Sequence, residues 1–561
     1  MGGKLVRMNL NISRIIKNIV SIFVILCIVI STCGCSGESS NKAISFSVAS
    51  NPDNLDPQTA SSSSSVMVIN NMFEGLYKRT IDNTFELGCA ENVETSSDGK
   101  TYTYTLRDDI YWKYYSKNNA MEDGTVIDSK VTADDFLFAF QRLMDPKVET
   151  PYSSNYYFIK NAKDVKSGIK PMSSLGVSVN ERGQLVLQVE YKTPLMEELL
   201  SLAPAMPCNR EFFKLTKGRY GAKGDMIISN GPFFLNTWKN TEDAKKVKLK
   251  ANDKYYDYSK ILVSSINLAV RTKSEAFGLY KKNDVDTAII NHDQFSSAKI
   301  SSKLSAPFQN IVVGIGFNES GKYFSNGNIR KALALALDRE KLKTALSEDQ
   351  IIASALVPNS VTIGSEKYRK TVGGNACPSC DFEKARSLLK QGLEEAKEKS
   401  GKTVNLNSLS ILVDEDSYPV LDQILQTWQK ELGVFMQIDV QPRETYLKRL
   451  KNGEFECVVM SISSDSDTPS SVLNKFMKDS QFNYTKANID GYSEILNSTV
   501  TQESVDAMAS RYFEAERAVC SNGNFAPIYY ETEYFVWQNG INNIIFDQGS
   551  KQCYYRYAYK N

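Results

Sequence analysis

The chain has 561 residues, with 66 basic against 65 acidic side chains, one histidine and a formal net charge of +1. That length exceeds what one hydrophobic core supports, so two or more lobes are expected; the near-neutral balance without a basic cluster leaves no electrostatic footprint for nucleic acid. His292 stands alone in the polar stretch Asn291-His292-Asp293, and the chain holds no GxSxG elbow, HExxH helix or GxxxxGK[ST] phosphate loop, which argues against a hydrolase and against a nucleotide-driven machine.

The first 35 residues carry Lys4, Arg7, Arg14 and Lys17 and no acid, with an apolar run from Ile19 to Ile30. A run of this length reads as a signal-peptide core and falls short of the roughly 20 residues of a membrane span. It ends at Thr32-Cys33-Gly34-Cys35, which looks like a bacterial lipobox with Cys35 as the lipidated residue. Gly34 is the small residue wanted before the cysteine, whereas Thr32 stands where an aliphatic is usual. An uncleaved anchor or a plain secretory signal is the alternative; each leaves the bulk of the chain outside the cytoplasm. Cleavage would delete four of the 66 basic residues and none of the 65 acidic ones, leaving a slightly acidic protein. Ser36 to Lys42, small and polar, reads as a tether.

Further along, Tyr102, Tyr104 and Leu106 alternate with Thr101, Thr103 and Thr105 as in a half-buried strand, and Leu185, Leu187, Val189 and Tyr191 repeat the pattern. Thr132 with Asp135 three residues on predicts a capping-box start, followed by Phe136, Ala139, Phe140 and Leu143 at helical spacing. Helices are also predicted over Asn328 to Leu342, over Phe382 to Leu393, and through Leu421, Ile424, Leu425, Trp428 and Leu432, where Gly433 fits a C-terminal stop. Strands and helices mixed throughout indicate an α/β protein. Of ten cysteines, Cys27 and Cys33 fall in the signal and Cys35 would be acylated, so seven remain and at least one stays unpaired. Cys377 and Cys380 form a CxxC that reads as a loop disulfide or two free thiols before a metal clip, because no second CxxC supplies further ligands.

An ordered string of phrases runs through the chain: LDP (Leu55 to Pro57), FEGLY (Phe73 to Tyr77), DGKTYTYTLR (Asp98 to Arg107), VTADDF (Val131 to Phe136), QRLMDP (Gln141 to Pro146) and TPY (Thr150 to Tyr152). ISNGPF (Ile228 to Phe233), NIRKALALALDRE (Asn328 to Glu340), WQKELGV (Trp428 to Val434) and APIYY (Ala526 to Tyr530) follow. In this order they resemble extracytoplasmic solute-binding protein family 5, the oligopeptide- and dipeptide-binding lipoproteins of ABC importers. The resemblance covers essentially the whole mature chain.

It implies a periplasmic-binding-protein-like α/β fold (type II, cluster C), two lobes on a hinge of crossing strands with an additional inserted subdomain. Carried over, residues 1–35 are the signal, 36–42 the tether, 43–73 with 205–311 and 531–561 lobe I, 74–204 the inserted subdomain, and 312–530 lobe II. It also implies a monomer without a cofactor, lipid-anchored on the extracytoplasmic face of a bacterial cell membrane. Its partners would be an oligopeptide, the transmembrane subunits of an ABC permease and their cytoplasmic ATPases.

An oligopeptide carrier must hold an ammonium, a carboxylate and an extended backbone. Phe455 to Phe476 looks like the family segment that presents an aspartate to the peptide's amino terminus; register with Pro469 and the VLNKF tail makes it Asp465, with Asp467 the competitor. Both could instead cap a helix after Pro469. The same alignment assigns backbone-bonding strand edges to Ser461, Ile462 and Ser463 and to Ser61, Ser62 and Ser63, although the serine run to Ser65 could equally be a flexible loop. Tyr152 resembles a tyrosine that encloses ligand, and reads otherwise as a core aromatic. The chain departs from the family's peptide binders at Val459 and Leu450, where they carry carboxylate-binding arginines, and at Ile462 and Ser466, where they carry aromatics. Arg443, Lys448 and Arg449 are the nearby cations that could substitute. A peptide pheromone, chelated nickel or a glycan is the alternative ligand.

Overall fold

The computed structural model describes residues 42–561 except Ala49, Lys117, Asn118, Glu122, Asp123, Val126, Asp128, Glu242, Asp243, Asp416, Ser417, Pro419 and Asp465. Cys35, the signal segment, the tether up to Asn41 and Asp465 therefore lie outside the described residues.

In chain order, β1 (Ala43–Val48) leads into α1 (Ser63–Met72), then β2 (Ala90–Thr95), β3 (Thr101–Leu106) and α2 (Ala133–Met144). Next come β4 (Val177–Val179), β5 (Leu185–Gln188), β6 (Phe233–Thr241), β7 (Ala244–Ala251), β8 (Ser265–Val270), β9 (Thr287–Ile290) and β10 (Ser305–Phe317). The remaining elements that matter here are α3 (Gly327–Leu335), β11 (Gln350–Ile352), α4 (Phe382–Ser400), β12 (Ser410–Val413), α5 (Leu421–Leu432), β13 (Gln437–Val440), α6 (Arg443–Asn452), β14 (Cys457–Ser463), α7 (Val505–Asn522) and β15 (Phe525–Trp537).

Eleven strands build one mixed sheet in the order β13-β12-β14-β10-β15-β9-β1-β8-β7-β6, with β11 also paired to β15. A separate four-stranded sheet, β2-β3-β5-β4, comes from the expected insertion. β10 and β15, 13 residues each, lie antiparallel at the centre of the large sheet. Their register shifts between Phe308 and Ile311 and again between Val313 and Gly314, which adds local twist. A Cβ at Gly314 would lie 2.5 Å from the Ala526 carbonyl oxygen, so only glycine allows this approach. One core cluster gathers residues between 44 and 268 with Phe308 and Phe535 to Ala558; two others, Leu195 apart, gather residues between 312 and 530. Separate cores joined through two crossing strands make a two-lobed α/β fold.

The local expectations hold at most elements. The Thr132 N–H donates to Asp135 Oδ2 at 2.9 Å, and Phe136, Ala139, Phe140 and Leu143 are fully buried. α5 stops where Gly433 turns left-handed at φ 67°. The helix expected over Asn328 to Leu342 is broken: α3 ends at Leu335, and a single turn, Arg339–Leu342, restarts behind the Asp338 cap. The Arg339 guanidinium fixes the break by donating to the carbonyls of Ala353 at 3.0 Å and Pro527 at 2.8 Å. α4 runs past the expected Leu393 to Ser400.

Residues of the ordered phrases meet as joints of the core. Arg142 of QRLMDP grips Asp56 of LDP through two hydrogen bonds, one of them Nη1 to Oδ1 at 2.9 Å. Glu74 of FEGLY, fully buried, accepts from the Tyr255 hydroxyl at 2.5 Å, the Tyr256 hydroxyl at 2.6 Å and Arg556 Nη1 at 2.7 Å. Asn230 of ISNGPF donates to the Glu74 carbonyl at 2.9 Å, and Trp428 of WQKELGV donates to the Leu333 carbonyl at 3.1 Å.

All seven described cysteines are thiols. The CxxC does not close on itself: Cys377 Sγ lies 3.6 Å from Cys520 Sγ in the last turn of α7, both buried, while Cys380 is half-buried.

Candidate ligand-binding site

A cavity of about 420 Å³ opens between the two sets of cores, within the usual range of roughly 300–1,000 Å³ for small-ligand sites. Four chain segments supply most of its wall: the start of α1, the stretch from Tyr152 to Pro204, the stretch from Ser463 to Ser470 at and beyond the end of β14, and the C-terminal stretch from Asp547 to Tyr554; Asn310 of β10, Val500, and Met508 and Tyr512 of α7 complete it.

Several expected residues reach it. Ser463 lines the cavity at the end of β14, but Ser461 and Ile462 do not. β14 pairs with β10 from Cys457 to Ser463 and with β12 only at Cys457 and Val458, so its outer edge beyond Val458 has no strand partner among the described residues. Side chains cover part of that edge: the Tyr446 hydroxyl donates to the Val459 carbonyl at 2.9 Å, and Lys475 Nζ donates to the Ser463 carbonyl at 2.8 Å.

Ser61, Ser62 and Ser63 do not form a strand edge. Ser62 is the N-cap of α1 and accepts from the Ser65 N–H at 3.2 Å, because a serine hydroxyl at this position satisfies an otherwise unpaired helix N–H. Ser61 and Ser63 line the cavity beside that helix start, and the Ser62 hydroxyl donates to Asp53 at 2.9 Å instead. Tyr152 lines the cavity with its ring while its hydroxyl donates to the Ala60 carbonyl at 2.5 Å. Burial pushes that hydroxyl's pKa up to about 12, with Asp53 adding to the shift.

Asp467 lines the cavity, and the segment places Ser464 and Ser466 there on either side of Asp465. Asp467 does not cap the following helix, whose N-cap is Pro469 without a side-chain bond. It is buried and accepts from Arg79 Nη2 at 2.5 Å; the same nitrogen lies 3.7 Å from Asp547 Oδ2. Burial, then the Asp547 charge, pushes the Asp467 carboxyl well above the ordinary range. Burial acts on Asp547 too, but Arg79 and hydrogen bonds from Asp467, Ser550 and Gly549 hold it below that range. A proton at this pair therefore rests on Asp467 while Asp547 stays ionised.

The three nearby cations do not line the cavity. Arg443 and Arg449, on α6, are taken by carboxylates, Arg443 by Asp414 and Arg449 by Asp439 at 2.7 Å, and Lys448 is exposed. They stand on the far side of a helix whose buried face, Tyr446 and Leu450, packs into the lobe. Val459 and Leu450, at the positions of the missing arginines, are buried core residues.

Other lining residues gave no motif in the sequence: Glu198, Asn310, Asp547, Lys551, Gln552 and Tyr554. Glu198 is 4% exposed, and its Oε2 has no hydrogen-bond partner among the described residues. Burial pushes its pKa up to about 7, against the pull of Arg79 and with a push from Asp547. Both side-chain polar atoms of Asn310, 1% exposed, and Oδ1 of Asp467 are likewise without partners. Buried polar atoms left unmatched at a cavity wall are the groups a ligand would satisfy.

The comparisons with known proteins agree with this architecture. Residues 84–484 match the model of the bacterial extracellular solute-binding proteins, family 5 Middle. The chain is 27% identical to the oligopeptide-binding protein OppA of Bacillus subtilis, covering 97% of this chain and 99% of that protein. It is 26% identical to a dipeptide-binding protein of Lactococcus lactis, covering 89% and 90%. Among solved structures, Listeria monocytogenes OppA bound to peptide superposes with a TM-score of 0.71 at 24% identity, covering 93% of this chain and all of that one. The pheromone receptor PrgZ gives 0.70 at 23%, with the same coverage. With the family match spanning most of the chain and the fold shared with these structures, the protein belongs to the bacterial extracellular solute-binding proteins, family 5.

Proposed function

We propose that this protein captures extracellular oligopeptides in the cavity between its lobes and hands them to an ABC permease driven by cytoplasmic ATPases. The observation that carries the reading is the composition of the cavity wall. Residues from both lobes and the insertion converge on one volume that combines the end of β14, a helix start and buried carboxyls, groups suited to a peptide backbone and an amino terminus. The curated relatives, named for oligopeptide and dipeptide binding, support the same choice of ligand.

In this reading Asp465 takes the peptide's α-ammonium, flanked by Ser464 and Ser466 at the cavity wall. Residues 43–73, 205–311 and 531–561 move as one lobe carrying the inserted 74–204, residues 312–530 move as the other, and the hinge lies where β10 and β15 cross. Hinge closure buries the ligand, and the permease recognises the closed shape. A lipid on Cys35 holds the protein, as a monomer, on the outer face of the membrane.

Native mass spectrometry of the chain from Ser36 onward, freshly purified and then exposed to a mixed peptide library, tests the reading. Bound peptides are the expected result, and a protein that stays empty in both conditions refutes it. The variant Asp465→Ala should bind peptide about tenfold to a hundredfold more weakly, since a charge-assisted bond contributes roughly 1.5–3 kcal/mol. Unchanged affinity would remove Asp465 from the site.

A further inference from the structure

Glu198 is a buried acid at the cavity wall with an oxygen that nothing in the described residues satisfies. The charge inventory around it explains why a ligand is the missing partner. Among the described residues, three acids line the cavity, Glu198, Asp467 and Asp547, and Lys551 is the one basic residue in that lining. Arg79, behind the wall, serves Asp467 and Asp547. The Lys551 ammonium is held by Glu533, and Lys367 Nζ donates to the Ser360 carbonyl at 3.1 Å and to Gln548 Oε1 at 2.8 Å. Glu198 is thus the surplus carboxyl of the set.

The unmatched atoms are also lopsided in kind. Glu198 Oε2, Asp467 Oδ1 and Asn310 Oδ1 call for donors, against one amide nitrogen, Asn310 Nδ2, that calls for an acceptor. An ammonium has three N–H donors and a guanidinium five, and neither has an acceptor. Leu195, Leu199, Val500 and Met508 line the same cavity and offer the apolar surface on which the methylene stem of a long basic side chain packs while its head stays among polar groups.

We propose that Glu198, with Asn310 and Asp467, forms a subsite for a cationic side chain of the bound peptide, so that the carrier selects peptides containing lysine or arginine. This rests on the peptide reading above, with the α-ammonium assigned to Asp465. An anionic ligand would leave the surplus acceptors unmatched, and a sugar hydroxyl would donate to them without neutralising Glu198; a basic side chain both donates to them and neutralises Glu198.

The experiment is isothermal titration calorimetry on the chain from Ser36 onward with Lys-Ala-Ala, Ala-Lys-Ala and Ala-Ala-Lys, each against its norleucine counterpart and each with and without Nα-acetylation. At one position or more, lysine should bind about tenfold tighter than norleucine, the gain expected of one hydrogen-bonded charge pair. Glu198→Gln should reduce that ratio to about twofold or less, with thermal unfolding checking that the variant is folded. Equal affinities for lysine and norleucine at every position overturn the subsite and leave the peptide reading standing. Binding of none of the peptides overturns both. A Glu198-dependent gain that disappears on acetylation, and not on the change to norleucine, assigns Glu198 to the α-ammonium and overturns the side-chain assignment.

Discussion

A carboxyl group buried without a partner keeps its proton to a higher pH than one in water, and Glu198 is the case in point. Its pKa is pushed up to about 7 in the folded chain from an ordinary value of 4.5, chiefly by burial. Between those values the folded state holds a proton that the unfolded chain has released, so this group's contribution to stability falls as pH rises through the window. Arg79, Asp467, Asp547 and Lys367 share the same surroundings, so the measurement is the difference between the ligand-free wild type and Glu198→Gln. By calorimetric unfolding, the wild type should lose up to about 3 kcal/mol relative to the variant from pH 4.5 to 7. Parallel curves would show that Glu198 already has a partner. Register with Pro469 and the VLNKF tail, read through the family resemblance, points to Asp465 and Asp467, and Asp467 lines the cavity. Sequence reasoning could not reach Glu198 or Arg79. Arg79 meets Asp467 across 388 residues of chain, and neither carries a local signal of its burial.

At the scale of elements, the legible parts are those whose cause is local. The Thr132 start of α2 and the Gly433 stop of α5 each depend on a few adjacent residues and appear where the pattern predicts; β3 and β5 form where alternation predicts strands, but only Tyr104 is buried in β3, and β5 ends at Gln188, short of Tyr191. The ordered phrases are legible for a different reason. Asp56 with Arg142, Glu74 with Asn230, and Trp428 with Leu333 are joints between elements, so they mark the fold and carry little about the ligand. Misread elements have distant causes: Arg339 breaks the helix by reaching carbonyls at Ala353 and Pro527, and Ser62 caps α1 where a strand edge was expected. The CxxC is another such case. Cys377 packs on Cys520, 143 residues away and at the end of α7. Oxidation by a low-molecular-weight disulfide, which takes two electrons and leaves as two thiols while the protein gives up two thiol protons, should join Cys377 to Cys520. Peptide mapping would then recover that linkage, and the chain-entropy gain for so long a loop is at most about 5 kcal/mol. A map joining Cys377 to Cys380 would restore the local pairing.

For the whole molecule, the contacts around the cavity act across the parts that the proposed hinge motion would separate. Arg79 of the insertion reaches Asp467, Ser464 Oγ donates to the Gly549 carbonyl at 2.9 Å, and Lys367 Nζ donates to Gln548 at 2.8 Å. In the proposed closure these bonds form only when the lobes come together, so they would bias the equilibrium between open and closed forms. Removing one member of a buried ion pair typically costs about 3–5 kcal/mol, because the remaining charge stays buried and unpaired. The proposed hinge gives the molecule an escape short of unfolding, since opening the cleft would return Asp467 and Asp547 to water. Arg79→Ala should therefore open the ligand-free protein before it lowers the stability of either lobe. Small-angle X-ray scattering should show a larger radius of gyration than the wild type in the absence of peptide, and peptide affinity should fall because binding must now restore closure. A radius unchanged from the wild type, together with a lowered Tm, would make Arg79 a support of the core and would leave closure to the ligand alone.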